Sequence, residues 1–135
     1  MAGLHGLKVL LDTCTFLWLD ASPERLGPAA RVALAKSSTT RFLSHATIWE
    51  LAIKTSLGKL SLTTELPEII EAYEKRGIIT LLPIELPHLY RLAALPWVHR
   101  DPFDRLLVAQ ALAEGLTLIT PDPTINGYGA ETLWE

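Results

Sequence analysis

Four short apolar runs, residues 7–11, 41–43, 78–82 and 116–119, recur along the chain with helical patterns between them. That alternation predicts an α/β domain built on a parallel sheet. The helical segments carry their own start and stop signals. Asp12 and Thr13 open a helix through Phe16, Leu17, Trp18 and Leu19, and residues 28–36 are alanine-rich. Ser44 is placed to cap a helix whose expected apolar side is Ile48, Trp49, Ala52, Ile53 and Leu57, ended by Gly58. Thr64 is the expected cap of the next helix, which carries Ile69, Ile70 and Tyr73 and closes at Gly77. Residues 86–95 read as a short helix ended by Pro96. The clearest start is Asp101-Pro102-Phe103-Asp104: an acid at the cap, proline at the first helical position and a second acid in the first turn. This helix runs to Glu114 and stops at Gly115, and residues 131–134 are expected as an edge strand.

A chain of 135 residues, 49% apolar, suits a single domain. It buries roughly two-thirds of its unfolded surface, so it folds without disulfides or a structural metal. One domain over residues 1–135 is expected, with residues 1–6 as a flexible tail. The single cysteine, Cys14, excludes a disulfide framework within the chain and the usual cysteine-based zinc site. Twelve basic against fifteen acidic residues give a net charge of −3. That excludes a strongly basic nucleic-acid coat but leaves room for a nuclease whose acidic site is neutralised by metal. No apolar stretch approaches the roughly 20 residues of a membrane span, and the N-terminus lacks the pattern of a signal peptide. A soluble, cytoplasmic protein with no membrane partner is expected.

Four acids stand out by placement. Asp12 follows the first strand and Asp122 the fourth. Asp104 lies in the first turn of the helix leading into that fourth strand, and Glu50 in the second turn of the helix after the second strand. Open parallel sheets bind ligands outside the carboxyl ends of their strands, and right-handed crossovers bring helix starts to the same edge. Clustered carboxylates repel one another and are costly to bury together. One or two divalent cations that prefer oxygen, Mg²⁺ or Mn²⁺, relieve that conflict and suit phosphodiester cleavage. Taken singly, each acid has a plainer account: Asp12 and Asp101 as helix caps, Glu50 as the i,i+4 partner of Lys54, Asp104 as a helix-dipole acid, and Asp122 as a turn former. Their joint placement is what points to a site.

The segments that carry these acids resemble those of PIN-domain proteins, specifically VapC-type toxin ribonucleases. They are Leu10-Leu11-Asp12-Thr13; Ser44-His45-Ala46-Thr47-Ile48-Trp49-Glu50-Leu51-Ala52-Ile53-Lys54; His99-Arg100-Asp101-Pro102-Phe103-Asp104-Arg105-Leu106-Leu107; and Leu116-Thr117-Leu118-Ile119-Thr120-Pro121-Asp122. They occur in family order and extend over nearly the whole chain, the third being the most specific. The resemblance implies a three-layer α/β/α sandwich around a central parallel sheet and a metal-dependent endoribonuclease using one or two Mg²⁺ or Mn²⁺ ions. Family acids carry over onto Asp12, Glu50, Asp104 and Asp122 as catalytic and metal-binding residues. Asp101 takes a capping or supporting role, and Thr13 and Thr120 hydrogen-bond carboxylates. Where the family often has serine three residues before the glutamate, this chain has Thr47, which keeps the hydroxyl. Arg100, Arg105, Lys54 and Lys59 are candidate contacts for the RNA backbone. The family implies a homodimer and a cognate antitoxin, for which Trp18, Trp49 and Trp97 offer aromatic anchors as an alternative to ordinary core positions.

Other acid-bearing folds fit less well. A receiver domain wants paired acids at the end of the first strand, where Leu11 and Thr13 flank Asp12. A haloacid-dehalogenase-like phosphatase wants an acid two residues after its nucleophile, where Cys14 stands. A dinucleotide fold wants a glycine-rich first turn, and residues 12–19 contain no glycine. Cys14 reads as a small core residue rather than a nucleophile. His45 and His99 are not expected as ligands of a hard-oxygen site. The remaining alternative is a catalytically inactive PIN-like interaction or scaffold protein.

Overall fold

The computed structural model describes residues 6–135. Strands β1 (Lys8–Leu11), β2 (Thr40–Ser44), β3 (Thr80–Leu82), β4 (Thr117–Ile119) and β5 (Thr132–Leu133) form one sheet in the order β3-β2-β1-β4-β5. Every neighbouring pair is parallel. Between them run α1 (Thr13–Ala21), α2 (Pro28–Ala35), α3 (His45–Ser56), α4 (Leu66–Lys75), α5 (Leu86–Ala94) and α6 (Pro102–Glu114), with 3₁₀ turns at Pro23–Arg25 and Pro123–Tyr128.

The strands are covered on both faces, which is why they read as apolar runs. Successive residues of β1 alternate between two core clusters. Leu10, with Leu118 of β4, packs against Leu106, Leu107 and Ala111 of α6. Val9 and Leu11, with Leu43 and Ile119, pack against Phe16, Ala30, Leu34, Ile69 and Ile70 of α1, α2 and α4. The result is the expected three-layer α/β/α sandwich.

Two local expectations need correction. Most of the supposed apolar side of α3 faces outward: Trp49, Ile53 and Leu57 are 56%, 38% and 62% exposed, and only Ile48 packs partly against the core. Its buried face is Ala46, Thr47, Glu50 and Leu51. Ala46 belongs to one core cluster and Leu51 to the other, so α3 spans the carboxyl edge of the sheet and turns a partly polar face inward. The cap of α4 is Glu65 rather than Thr64, and it makes no side-chain capping bond. The expected flexible tail lies outside the described residues except for Gly6. That residue is packed with φ +70°, and a Cβ there would lie 2.0 Å from the Ser38 carbonyl oxygen.

Polar side chains complete the frame. The guanidinium of Arg41 donates to the carbonyls of Leu34, Lys36 and Thr39, closing the end of α2. His88, fully buried, accepts the Glu85 N–H on Nδ1 at 3.0 Å and meets Glu114 through Nε2 at 2.8 Å. A neutral ring with Nδ1 occupied as acceptor carries its proton on Nε2. The Glu85–His88–Glu114 group is therefore a tie between α5 and α6, although its ligand atoms are close enough for a metal. Among the described residues no helix is long and apolar enough to cross a membrane.

Candidate active site

β1 and β4 lie side by side at the centre of the sheet although they are distant in sequence, so the strand order reverses between them. Asp12 and Thr120 immediately follow their ends. The Asp12 N–H donates to the Ile119 carbonyl at 3.2 Å, which continues the ladder one step past the strands. Asp12 caps α1, its carboxylate accepting the Thr15 N–H at 2.7 Å. The Thr15 hydroxyl donates to the Ile119 carbonyl at 2.9 Å, locking the start of α1 to β4. Glu50 reaches the same edge from α3, where the Thr13 hydroxyl donates to its Oε1 at 2.5 Å and Lys54 Nζ lies 2.9 Å from Oε2. Both acids are buried, at 5% and 6% exposure.

The other two acids come from the opposite wall. Asp101 caps α6, its Oδ1 accepting the N–H groups of Phe103 and Asp104. That places Asp104 in the first turn, facing the site. Asp122 caps the 3₁₀ turn after β4 and accepts the N–H and hydroxyl of Thr124 on Oδ1. Asp104, Asp122 and His99 form the tight group, with a potential ligand atom from each within 4.8 Å of the others. Asp12 and Glu50 stand outside that group but are felt by it electrostatically.

The electrostatics is that of a negative cluster only partly compensated. Burial, then repulsion from Asp101 and Asp12, pushes Asp104 up to about 7, and His99 offsets only part of this. Burial raises Asp12 as well; the Thr120 and Thr15 hydrogen bonds work against that, and Glu50 adds to it. Asp122 goes the other way. Burial pulls it upward, but its bonds to Thr124 and His99 win and hold it below the usual carboxylate range. Its hydrogen bond to Glu50 raises Lys54. A carboxylate-rich pocket in which His99 and the local donors still leave one acid near 7 suits a hard divalent cation, which Asp12, Asp104 and Asp122 would hold with Glu50 beside them.

Thr13 and Thr120 both lie among the acids. Thr120 is buried, accepts the Asp122 N–H on its hydroxyl at 3.1 Å and hydrogen-bonds Asp12. Thr47, one turn before Glu50 on the same buried face of α3, is fully buried with no partner for its hydroxyl among the described residues. Cys14 is free and partly buried, and burial, aided by the Asp12 charge, pushes its thiol up to about 11.

The basic residues divide. Arg100 is exposed and, with Lys54, Ile53, Pro102 and Phe103, lines a cleft of about 370 Å³ that also touches Glu50 and Asp101. Lys59 is exposed beyond the end of α3. Arg105 is a correction. It is 6% exposed, donates to the Leu95 carbonyl and lies under the Trp97 ring, 3.7 Å from its centroid, so it is not free to bind a backbone phosphate. Trp18 is half-buried against Trp134, whereas Trp49 and Trp97 are 56% and 79% exposed. Trp49 meets Phe103 edge-on at 4.9 Å.

His99, which the sequence reading set aside as a metal ligand, stands against the acids. Its Nε2 lies 2.8 Å from Asp122 Oδ2 and 3.5 Å from Asp104 Oδ2, between two of the four acids. Its position two residues before the Asp101 cap was the only available signal.

The family described as PIN domain matches residues 9–130. Among solved structures the chain is similar to VapBC2 from Rickettsia felis bound to a DNA fragment from their promoter, at 15% identity over 94% of this chain and 98% of that one, TM-score 0.69. It is similar to VapBC-1 from nontypeable Haemophilus influenzae at 18% identity over 94% and 97%, TM-score 0.64. A third is FitAcB from Neisseria gonorrhoeae at 20% identity over 93% and 96%, TM-score 0.58. No curated protein matches it by sequence.

Proposed function

The chain belongs to the PIN-domain family, and on that premise we propose that it is a metal-dependent endoribonuclease, the VapC-type toxin of a toxin–antitoxin pair acting in the cytoplasm. The observation that carries the reading is the gathering of Asp12, Glu50, Asp104 and Asp122 at one edge of the sheet, where Asp104 and Asp122 offer ligand atoms within 4.8 Å and burial with repulsion from Asp101 and Asp12 pushes Asp104 up to about 7. A retired site has no reason to keep that repulsion.

Mg²⁺ or Mn²⁺ bound among these acids would supply Lewis acidity toward the scissile phosphate and lower the pKa of a bound water. The chain's own residues do the rest. Asp12, tied to Thr15 and Thr120, and Asp122, tied to Thr124, present carboxylates of fixed direction. Glu50 is steadied by Thr13 on one oxygen and Lys54 on the other, so it is oriented at the edge of the pocket to accept a proton or align a water. Arg100, exposed beside the cleft, offers a charge for a flanking phosphate, and Phe103 a ring for an unstacked base.

Partners follow from exposed apolar faces. The outward stripe Trp49, Ile53 and Leu57 on α3, beside Glu50, is read as the seat of the antitoxin. The face of α5 with Leu86, Leu89 and Tyr90 is read as the contact between two copies.

The test is incubation of the purified, antitoxin-free chain with a mixed RNA pool and Mg²⁺, Mn²⁺ or EDTA, beside Asp104→Asn. Cleavage that needs metal and Asp104 is expected. Intact RNA under every metal condition would leave the non-catalytic interaction protein as the better account.

A further inference from the structure

We propose that His99 is a positioning residue of the acid centre rather than one of its metal ligands, and that its Nε2–H restricts Asp122 to one free coordinating position. This rests on the metal-dependent reading above. Proximity alone argues the opposite, because His99, Asp104 and Asp122 each bring a potential ligand atom within 4.8 Å of the others. The hydrogen bonds decide between the two. Nδ1 accepts the Asp101 N–H at 3.0 Å, so a neutral ring carries its proton on Nε2. A protonated nitrogen has no lone pair for a metal. Moving the proton to Nδ1 would set donor against donor at the Asp101 amide. Turning the ring over would also break its contact with Asp122, since Nε2 lies 2.8 Å from Asp122 Oδ2.

The remaining acceptor positions on Asp122 can be counted. A carboxylate has about four. Oδ1 uses two, on the Thr124 N–H at 3.0 Å and the Thr124 hydroxyl at 2.7 Å. Oδ2 uses one on His99 at 2.8 Å. The position left on Oδ2 has a direction fixed by the imidazole. His99 also leans on Asp104 Oδ2 at 3.5 Å, which links the acids that leave α6 and β4. Donors in this role behind a ligand commonly change metal affinity 10–100-fold.

The test is Mn²⁺ binding to the full chain by calorimetry, with pulsed electron paramagnetic resonance of the bound ion, for the unaltered protein, His99→Gln and His99→Leu. Leucine removes every polar atom of the ring, whereas glutamine returns an amide N–H near the place of Nε2 and has no imidazole nitrogen to coordinate a metal. Glutamine therefore restores the donor without restoring a nitrogen ligand. Expected are a loss of at least about tenfold in His99→Leu, affinity close to the unaltered chain in His99→Gln, and no nitrogen coordinated to the Mn²⁺. A directly coordinated nitrogen that disappears in both variants overturns the proposal, as does full affinity in His99→Leu. Should His99→Leu fail to fold, the nitrogen signal of the unaltered chain decides alone. An unaltered chain that binds no Mn²⁺ overturns the metal-dependent reading and this inference with it; a chain that binds Mn²⁺ through nitrogen overturns this inference only.

Discussion

Unfolded, Asp104 titrates near 3.8; folded, it is pushed up to about 7. Between those values the folded chain holds a proton that the unfolded chain has lost. Stability from this group is therefore lost as pH rises through that window, and the loss is complete above it. Asp104→Asn removes the charge at every pH. In EDTA at pH 8 the variant is expected to melt several degrees above the unaltered chain, with the gap closing toward pH 4, while it loses RNA cleavage. Thermal melts at the two pH values check this, and an equal gap at both would trace the effect to something other than charge. The four acids were legible because strand ends and helix starts are marked in the sequence. What His99 does was not legible: setting it aside as a ligand rested on metal preference, whereas its role comes from two ring nitrogens facing an amide and two carboxylates. Arg105 misled for a similar reason. Nothing in its spacing shows that it lies beneath Trp97 and reaches back to the Leu95 carbonyl.

Among the elements, α6 was readable to the residue at both ends because its limits are steric. Pro102 belongs at a helix start, and Gly115 closes the helix at φ +67°, where side chains are strained. Its cap also lets two roles of Asp101 be separated. Asp101→Ala is expected to cost about 1 kcal/mol of stability by leaving the Phe103 and Asp104 amides without their acceptor, whereas Asp101→Asn keeps the cap. Denaturant titration of the pair reads the difference, and equal losses would show that charge rather than capping matters there. The face of α3 was not readable, because helical periodicity assumes that the apolar side is the inner one. Here the inner side borders the acids, so Thr47 and Glu50 are buried while Trp49, Ile53 and Leu57 are left outside. Ile53→Ser and Leu57→Ser should each shift stability by no more than about 0.5 kcal/mol. Leu51→Ala, from the fully buried face, should cost about 2–5 kcal/mol. Melts of the three variants test the orientation, and large losses in the serine variants would contradict it.

For the whole molecule, the site is a property of the sheet's order rather than of any segment. A cation that binds only the folded chain raises its stability by mass action, about 2.7 kcal/mol at a hundred times its dissociation constant. Mn²⁺ should therefore raise the melting temperature in a dose-dependent way that EDTA reverses, and Asp104→Asn should abolish the shift. A rise that survives in the variant would place the ion elsewhere.

The strand order also has a consequence in time. β1 is made first among the strands, yet one of its two neighbours, β4, is nearly the last, and Asp122 follows it. At the usual 5–20 residues per second, on the order of ten seconds of synthesis separate Asp12 from Asp122. Until the end of that interval the nascent polypeptide lacks a complete second wall for its acid pocket, and the loop that bears Tyr128 comes later still. A ribosome making this chain thus carries an unfinished acid pocket until β4 and the turn after it have been made, and a product interrupted before Asp122 is incomplete at the site.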